Sequence, residues 1–321
     1  MLQGIPFFFR KSADKLLLCL MVFPFVLTSC FPGQPEKQVA KEKSGEERAN
    51  NTDISHLSTL TVTDNITYSN VLDDLDRNDL QNIDLALTLF SNNKADSLSR
   101  DSMLVSFTEF MTSEIQGYYD GHLNGNQDLI RHFENKGDQS ETQKLISMLA
   151  THGIKLSFRE GDFYLEPDLA FIYDRLNGAL TVSSRDYLQV KISLANGLNT
   201  DSGQPVSAPD SLAHNIIAWE DFMVKNPGYL LKDEIQAQYI DAMAAYLSGT
   251  EQLPLFDPDT KMIEAKYQSS YLRYLKEYPD RGSARIVKKF YDLLDSKGFK
   301  YDEELDSFLS DVNFIPTQTP Q

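Results

Sequence analysis

Trp219-Glu220-Asp221-Phe222-Met223-Val224-Lys225-Asn226-Pro227 and Tyr271-Leu272-Arg273-Tyr274-Leu275-Lys276-Glu277-Tyr278-Pro279 are two versions of one pattern, 52 residues apart. Both read aromatic-x-x-aromatic-aliphatic-x-x-x-Pro. The spacing of the large side chains is helical, and the proline cannot continue a helix because it lacks an N–H and its ring clashes with the preceding turn. Each stretch is therefore the first helix of a hairpin, ended by a short turn. A second amphipathic stripe follows each one: Ile235, Tyr239, Ala242, Met243, Tyr246 and Leu247 after the first, closed by Gly249, and Ile286, Val287, Phe290, Leu293 and Leu294 after the second. The first stripe opens with Leu212 and Ile216. The third helix is expected to start at Asp257-Pro258 and to turn Ile263, Tyr267, Tyr271, Tyr274, Leu275 and Tyr278 inward.

Working outward, helical spacing governs most of the chain. Helices are expected near 78–91, 96–119, 126–134, 140–152, 167–176, 184–195 and 302–311. One stretch breaks the pattern. Lys155 to Glu166 alternates on either side of Glu160-Gly161, a β-hairpin signature that needs helices beneath it to be stable. The expected fold class is mainly α, a helical bundle or a short helical-repeat array with one small hairpin at about 155–166. The division read from the sequence is a helical subdomain at 56–196 carrying the hairpin, and a helical-pair subdomain at 208–313. The polar loop Asn196 to Ala208 separates them, and a disordered tail covers 314–321.

The N-terminus carries a different signal. Arg10, Lys11 and Lys15 precede Leu16 to Leu27, an apolar run of twelve residues. That run suits a secretory leader and falls short of the roughly 20 residues that span a bilayer as a helix. Leu27-Thr28-Ser29-Cys30 follows and resembles the lipobox of bacterial lipoproteins. The resemblance implies cleavage after residue 29, lipidation of Cys30 by diacylglycerol at its thiol and a further acyl chain at the freed amine. Several chains at about 0.8 kcal/mol per buried CH₂ hold a protein on a membrane. It also implies an envelope location, with the outer membrane favoured because Phe31, not an aspartate, follows the cysteine. Residues 30–55 are polar without apolar period and read as a flexible tether.

The chain has two cysteines, Cys19 in the leader and Cys30. No thiol is left for a disulfide, so the body of roughly 260 residues must hold by packing alone. Removing the leader's three basic residues and one acidic residue takes the net charge from −17 to −19. So acidic a surface argues against nucleic acid as a partner.

The 210–296 helical pairs bear a weak resemblance to tetratricopeptide-like pairs of envelope assembly lipoproteins, in which an aromatic helix ends in a Tyr-Pro turn. The period departs from the 34 residues of that family, and its small-residue positions are missing. A true repeat and a plain bundle with two similar hairpins both remain open.

Catalytic and metal motifs are absent from the sequence: no HExxH, GxSxG, Walker loop or cysteine zinc site occurs. His56, His122, His132, His152 and His214 are scattered. Asp120 to Asp128 offers alternating oxygen ligands but lacks the closing glutamate of a calcium loop. Glu160, Asp162 and Glu166 are the nearest thing to a carboxylate set. Asp96-Ser97-Leu98, Asp101-Ser102-Met103 and Asp210-Ser211-Leu212 resemble a short O-glycosylation acceptor of some Gram-negative envelope proteins, and equally read as helix caps. The favoured function is binding or scaffolding: a lipid-anchored protein that meets another protein or an envelope polymer. The alternative is an envelope hydrolase with its site assembled from dispersed carboxylates. No cofactor is implied. Tyr267, Tyr271, Tyr274 and Tyr278 share one helix and carry more phenol hydroxyls than a dry core readily satisfies. They are the candidate binding residues, expected to show some ring edges to solvent.

Overall fold

In the computed structural model the described residues are 61–75, 79–134, 140–159, 162–197, 200–201, 204–205, 209–251 and 253–314. The expected leader, Cys30, the expected tether, the Glu160-Gly161 turn and residues 315–321 of the expected tail lie outside them. The fold class is mainly α with an antiparallel hairpin. The described elements are α1 (Asn65–Asp73), α2 (Gln81–Ser91), α3 (Ser97–Tyr118), α4 (Gln127–Glu134), α5 (Ser140–Thr151), β1 (Ile154–Arg159), β2 (Asp162–Pro167), α6 (Leu169–Leu176), α7 (Val182–Gly197), α8 (Pro209–Lys225), α9 (Lys232–Ser248), α10 (Ala265–Glu277), α11 (Gly282–Ser296) and α12 (Glu303–Asp311). A two-residue pairing of Thr200–Asp201 with Gln204–Pro205 lies in the polar loop.

Aspartates start several helices. Asp64 accepts from the Thr67 N–H at 2.8 Å, Asp96 from Ser99 at 2.8 Å, Asp168 from Ala170 at 3.0 Å and Asp302 from Glu304 at 3.0 Å. Each satisfies a backbone donor that the first helical turn leaves without a partner. The same bonds hold the Asp64, Asp96 and Asp302 carboxyls below their ordinary value. Helix α1 was not expected, since only scattered apolar residues mark 56–76. It forms because Tyr68 and Leu72, one turn apart, are buried. The Tyr68 ring meets Phe90 edge-on at 5.9 Å, and its hydroxyl donates to the Ala86 carbonyl at 3.0 Å.

The hairpin pairs Leu156 with Leu165 and Phe158 with Phe163. Its aromatic face packs on α4, where Phe133 lies 4.9 Å from Phe163 and 5.4 Å from Phe158. Gly153 leads into it at φ +72°, and a Cβ there would sit 2.4 Å from the Phe171 ring. No other residue fits that corner.

Residues from Thr61 onward make one compact unit. The polar loop after α7 is not a gap in packing between the two expected subdomains. Across it, Ser183 Oγ donates to Asn226 at 2.7 Å, Lys225 pairs with Asp186 at 2.8 Å and the Tyr187 hydroxyl donates to Glu234 at 3.1 Å. The Tyr187 ring also joins those of Trp219, Phe222 and Tyr229, at 5.6–6.3 Å.

The two pairs α8/α9 and α10/α11 share local geometry. Trp219, Phe222, Tyr271 and Tyr274 are all buried. The Asn226 N–H closes on the Phe222 carbonyl at 2.8 Å, and Tyr278 on Tyr274 at 2.9 Å. The turns then close alike, Tyr229 on Asn226 and Arg281 on Tyr278. One boundary is corrected. Helix α10 starts at Ala265, not at Asp257-Pro258. The Asp257 carboxylate instead binds the Asp259 N–H at 3.1 Å, the Thr260 N–H at 2.7 Å and the Thr260 hydroxyl at 2.8 Å, which closes a turn. Lys261 follows at φ 60°, and Phe256 and Ile263 bridge as antiparallel partners.

Candidate functional site

The four tyrosines of α10 do not line a groove together. Tyr267, Tyr271 and Tyr274 are buried, and their hydroxyls are spent inside the seam. Tyr267 donates to the Leu253 carbonyl at 2.9 Å, Tyr271 to the Tyr246 carbonyl at 2.8 Å and Tyr274 to Ser283 Oγ at 2.7 Å. Burial raises all three phenols. Only Tyr278, at the end of the helix, is partly exposed, its ring 5.3 Å from Tyr274. The expectation that a dry core could not satisfy so many hydroxyls failed for a local reason. Neighbouring helix ends and the 250–263 loop bring backbone carbonyls into the seam.

Next to Tyr274 lies a buried carboxylate that the sequence did not mark. Glu220 of α8 is 4% exposed and faces the first turn of α11. Its Oε1 accepts from the Gly282 N–H at 2.8 Å and the Ser283 N–H at 3.4 Å, and its Oε2 accepts from Ser283 Oγ. A negative charge at a helix N-terminus is favourable there. The Tyr239 hydroxyl is buried beside Ser283 and Glu220 without a well-formed hydrogen bond, and burial and the Glu220 charge raise its pKa. Arg281, one residue before α11, pairs with Asp221. This network ties the first helical pair to the second; Glu220, Tyr239 and Ser283 are buried, while Gly282, Arg281 and Asp221 at its edge reach solvent.

Two open grooves stand out among the described residues. The larger, about 920 Å³, runs between α11 and α12. From α11 it takes Gly282, Arg285, Ile286, Lys289 and Leu293, and from α12 it takes Glu304, Ser307, Phe308 and Asp311, with Val312 beyond. Both sets follow the i, i+3, i+4, i+7 spacing of one helix face. Phe308 is half-buried, with its ring 5.6 Å from Phe290 beneath it. The smaller groove, about 370 Å³, lies between the end of α3 and α5. There the helix closes in a π-helical turn, Tyr119–Leu123, and His122 stacks on Tyr118 at 4.4 Å. Leu129, Leu145 and Met148 line it, with Glu141 and Lys144 paired at its rim.

Several other sequence candidates make hydrogen bonds or ion pairs within the fold. In the Asp120–Asp128 loop, Asp120 accepts from Gln116 at 3.0 Å. Asp162 accepts from the Tyr119 hydroxyl at 3.0 Å and from the Phe163 N–H at 2.8 Å. Asp96 is a helix cap, Asp101 takes the hydroxyls of Thr181 and Ser184, and Asp210 pairs with Arg273 at 2.5 Å. Glu160 lies outside the described residues. One pair was not foreseen: His152 Nδ1 lies 2.6 Å from Asp84, joining two elements 68 residues apart. Among the described residues no group of three or more His, Cys, Asp or Glu is placed to hold a metal ion, and no helix is long and apolar enough to cross a membrane. Comparison with family models, curated proteins and solved structures returns no match.

Proposed function

We propose that the chain is a lipid-anchored envelope protein, held in the membrane through Cys30, whose helical body binds another protein or an envelope polymer. The anchor rests on the leader and the Leu27-Thr28-Ser29-Cys30 motif, and the outer membrane is the favoured location. The observation that carries the binding role is the α11/α12 groove. It is open, long and walled by two helix faces, with an apolar floor and charged rims. Grooves of that form take up elongated segments, because the floor supplies affinity and the rims select among partners. Among its lining residues only Gly282 belongs to the Glu220 network, and none of the seam tyrosines Tyr267, Tyr271 and Tyr274 lines it.

Two measurements test this reading. Cys30→Ala should abolish labelling by radioactive palmitate and release the protein from the membrane fraction. A variant that still sediments with membranes and takes up palmitate sinks the anchor. A photo-reactive side chain at Ser307, an exposed groove residue, should crosslink in intact cells to one saturable species. The same probe at exposed Thr151 on α5 should not. Equal crosslinking from both positions, or none from Ser307, sinks the binding role.

A further inference from the structure

The groove walls carry opposite charges. Arg285 and Lys289 line it from α11, while Asp311 and Glu304, the latter also paired with Lys297 at 2.6 Å, stand on α12, with Ile286, Leu293 and Phe308 between them. From Gly282 to Leu293 the groove follows α11 for twelve residues, eleven rises or roughly 16 Å along the helix. A third helix laid there would meet an apolar floor with a basic rim on one side and an acidic rim on the other. We propose that the α11/α12 groove receives an amphipathic helix of a partner protein, about three turns long, with an apolar stripe flanked by acidic residues toward α11 and basic residues toward α12. The proposal rests on the binding role of this groove and names its occupant.

The occupant is a partner's helix rather than one from a second copy of this chain. An inserted helix must bring a stripe of apolar residues at i, i+3/i+4 and i+7. Each described helix of this chain carries at most one large apolar residue in full exposure, such as Leu98 on α3, Val182 on α7, Val224 on α8 or Leu272 on α10, and the half-exposed Leu129, Leu145 and Met148 of α4 and α5 line the smaller groove. The rims also disfavour a polyanionic or polycationic chain, since either would meet a like-charged wall along its whole length.

The test uses three stapled helical peptides with the same Leu/Phe stripe. One has an acidic flank and a basic flank, the second two acidic flanks, the third two basic flanks. Fluorescence anisotropy with the lipid-free full-length body at physiological salt should show the mixed peptide bound about tenfold more tightly than either uniform one. The double variant Arg285→Glu/Lys289→Glu makes both walls acidic and should shift the preference to the all-basic peptide. Phe308→Glu should weaken the mixed peptide by at least about tenfold. All three residues reach solvent, so an unchanged far-UV spectrum verifies that each variant is folded.

Tightest binding of the all-basic peptide to the unaltered protein would reduce the effect to general attraction by an acidic surface and overturn the proposal. So would no binding by any peptide, or indifference to Phe308→Glu. Self-association in sedimentation, lost in Phe308→Glu, would assign the groove to a second copy instead. If the peptides fail while the Ser307 crosslink goes to a glycan polymer or an extended segment, the helix is wrong and the binding role stands. If the crosslink fails as well, both fall.

Discussion

Replacing Glu220 should do more damage than any surface charge in the molecule. Its carboxylate accepts from two backbone N–H groups at the start of α11 and from the Ser283 hydroxyl, at a site 4% exposed. Glu220→Ala strips an acceptor from each of these donors and leaves a gap that the rigid helix ends cannot close. An unsatisfied buried donor costs about 1–3 kcal/mol, and a charge at a helix N-terminus contributes up to about 2 kcal/mol in partly buried geometry. These terms overlap, because the same N–H groups make up the dipole end. Summed over the three donors and allowing for that overlap, the net loss should be about 3–5 kcal/mol. For a body of this size that lowers the melting temperature by roughly 6–20 °C. Glu220→Gln keeps one carbonyl acceptor and the volume, and should lose about 1–2 kcal/mol. Urea unfolding followed by far-UV circular dichroism and by Trp219 emission measures both variants. A Glu220→Ala protein within about 1 kcal/mol of the parent would show that water replaces the carboxylate, and the network would not be what joins the two pairs.

Two further outcomes follow from burial. Trp219 is 2% exposed and packed edge-on to Phe222. Its native emission should be blue-shifted, and Trp219→Ala should cost about 3–5 kcal/mol in urea unfolding; emission at the wavelength of free tryptophan would place the ring on the surface. At alkaline pH the tyrosines act together. Burial raises Tyr246, Tyr267, Tyr271 and Tyr274 above their ordinary value of 10.0, and lifts Tyr229 to about 12. The unfolded chain therefore releases these protons first. Their contribution to stability is whole below pH 10 and is lost as pH rises above it. A near-UV phenolate titration should lag that of the urea-unfolded protein and then rise with loss of helix. Matching curves in the folded and unfolded states would contradict the buried seam.

What could be read from sequence was set by how local each signal is. Apolar residues at helical spacing placed α2, α3, α5 and α6 to within a few residues of their observed ends. Alternation around Gly161 placed the hairpin, with Phe158 facing Phe163. Helix α1 escaped because its inward face is little more than Tyr68 and Leu72. The start of α10 was misplaced because Asp-Pro serves a cap and an aspartate turn equally well. Here the segment after Asp257 is taken up in backbone pairing instead, Met262 bridging to Lys300. The site was less legible. Four tyrosines on one helix suggested unsatisfied hydroxyls, yet the acceptors for Tyr267 and Tyr271 come from chain 14 and 25 residues away. Glu220 looked like any polar residue on a helix, since its partners lie more than 60 positions on. The α11/α12 groove depends on the angle between two helices, which no local pattern encodes.

The buried phenols have a consequence for how this chain can vary. Tyr68, Tyr267 and Tyr271 each run from one backbone segment to a carbonyl on another, at 2.8–3.0 Å. A benzene ring with an oxygen at its tip cannot stretch, so each is a strut that sets the spacing of the segments it joins. Phenylalanine would fill the same room and leave a carbonyl without its donor, while longer flexible side chains would make contact without fixing the distance. Sliding α10 along its neighbours by one turn would break the bonds of Tyr267, Tyr271 and Tyr274 together. With no disulfide to lock the alignment, the register of the body is written in rigid rings, and drift at these positions is confined to tyrosine unless both ends of a strut change together.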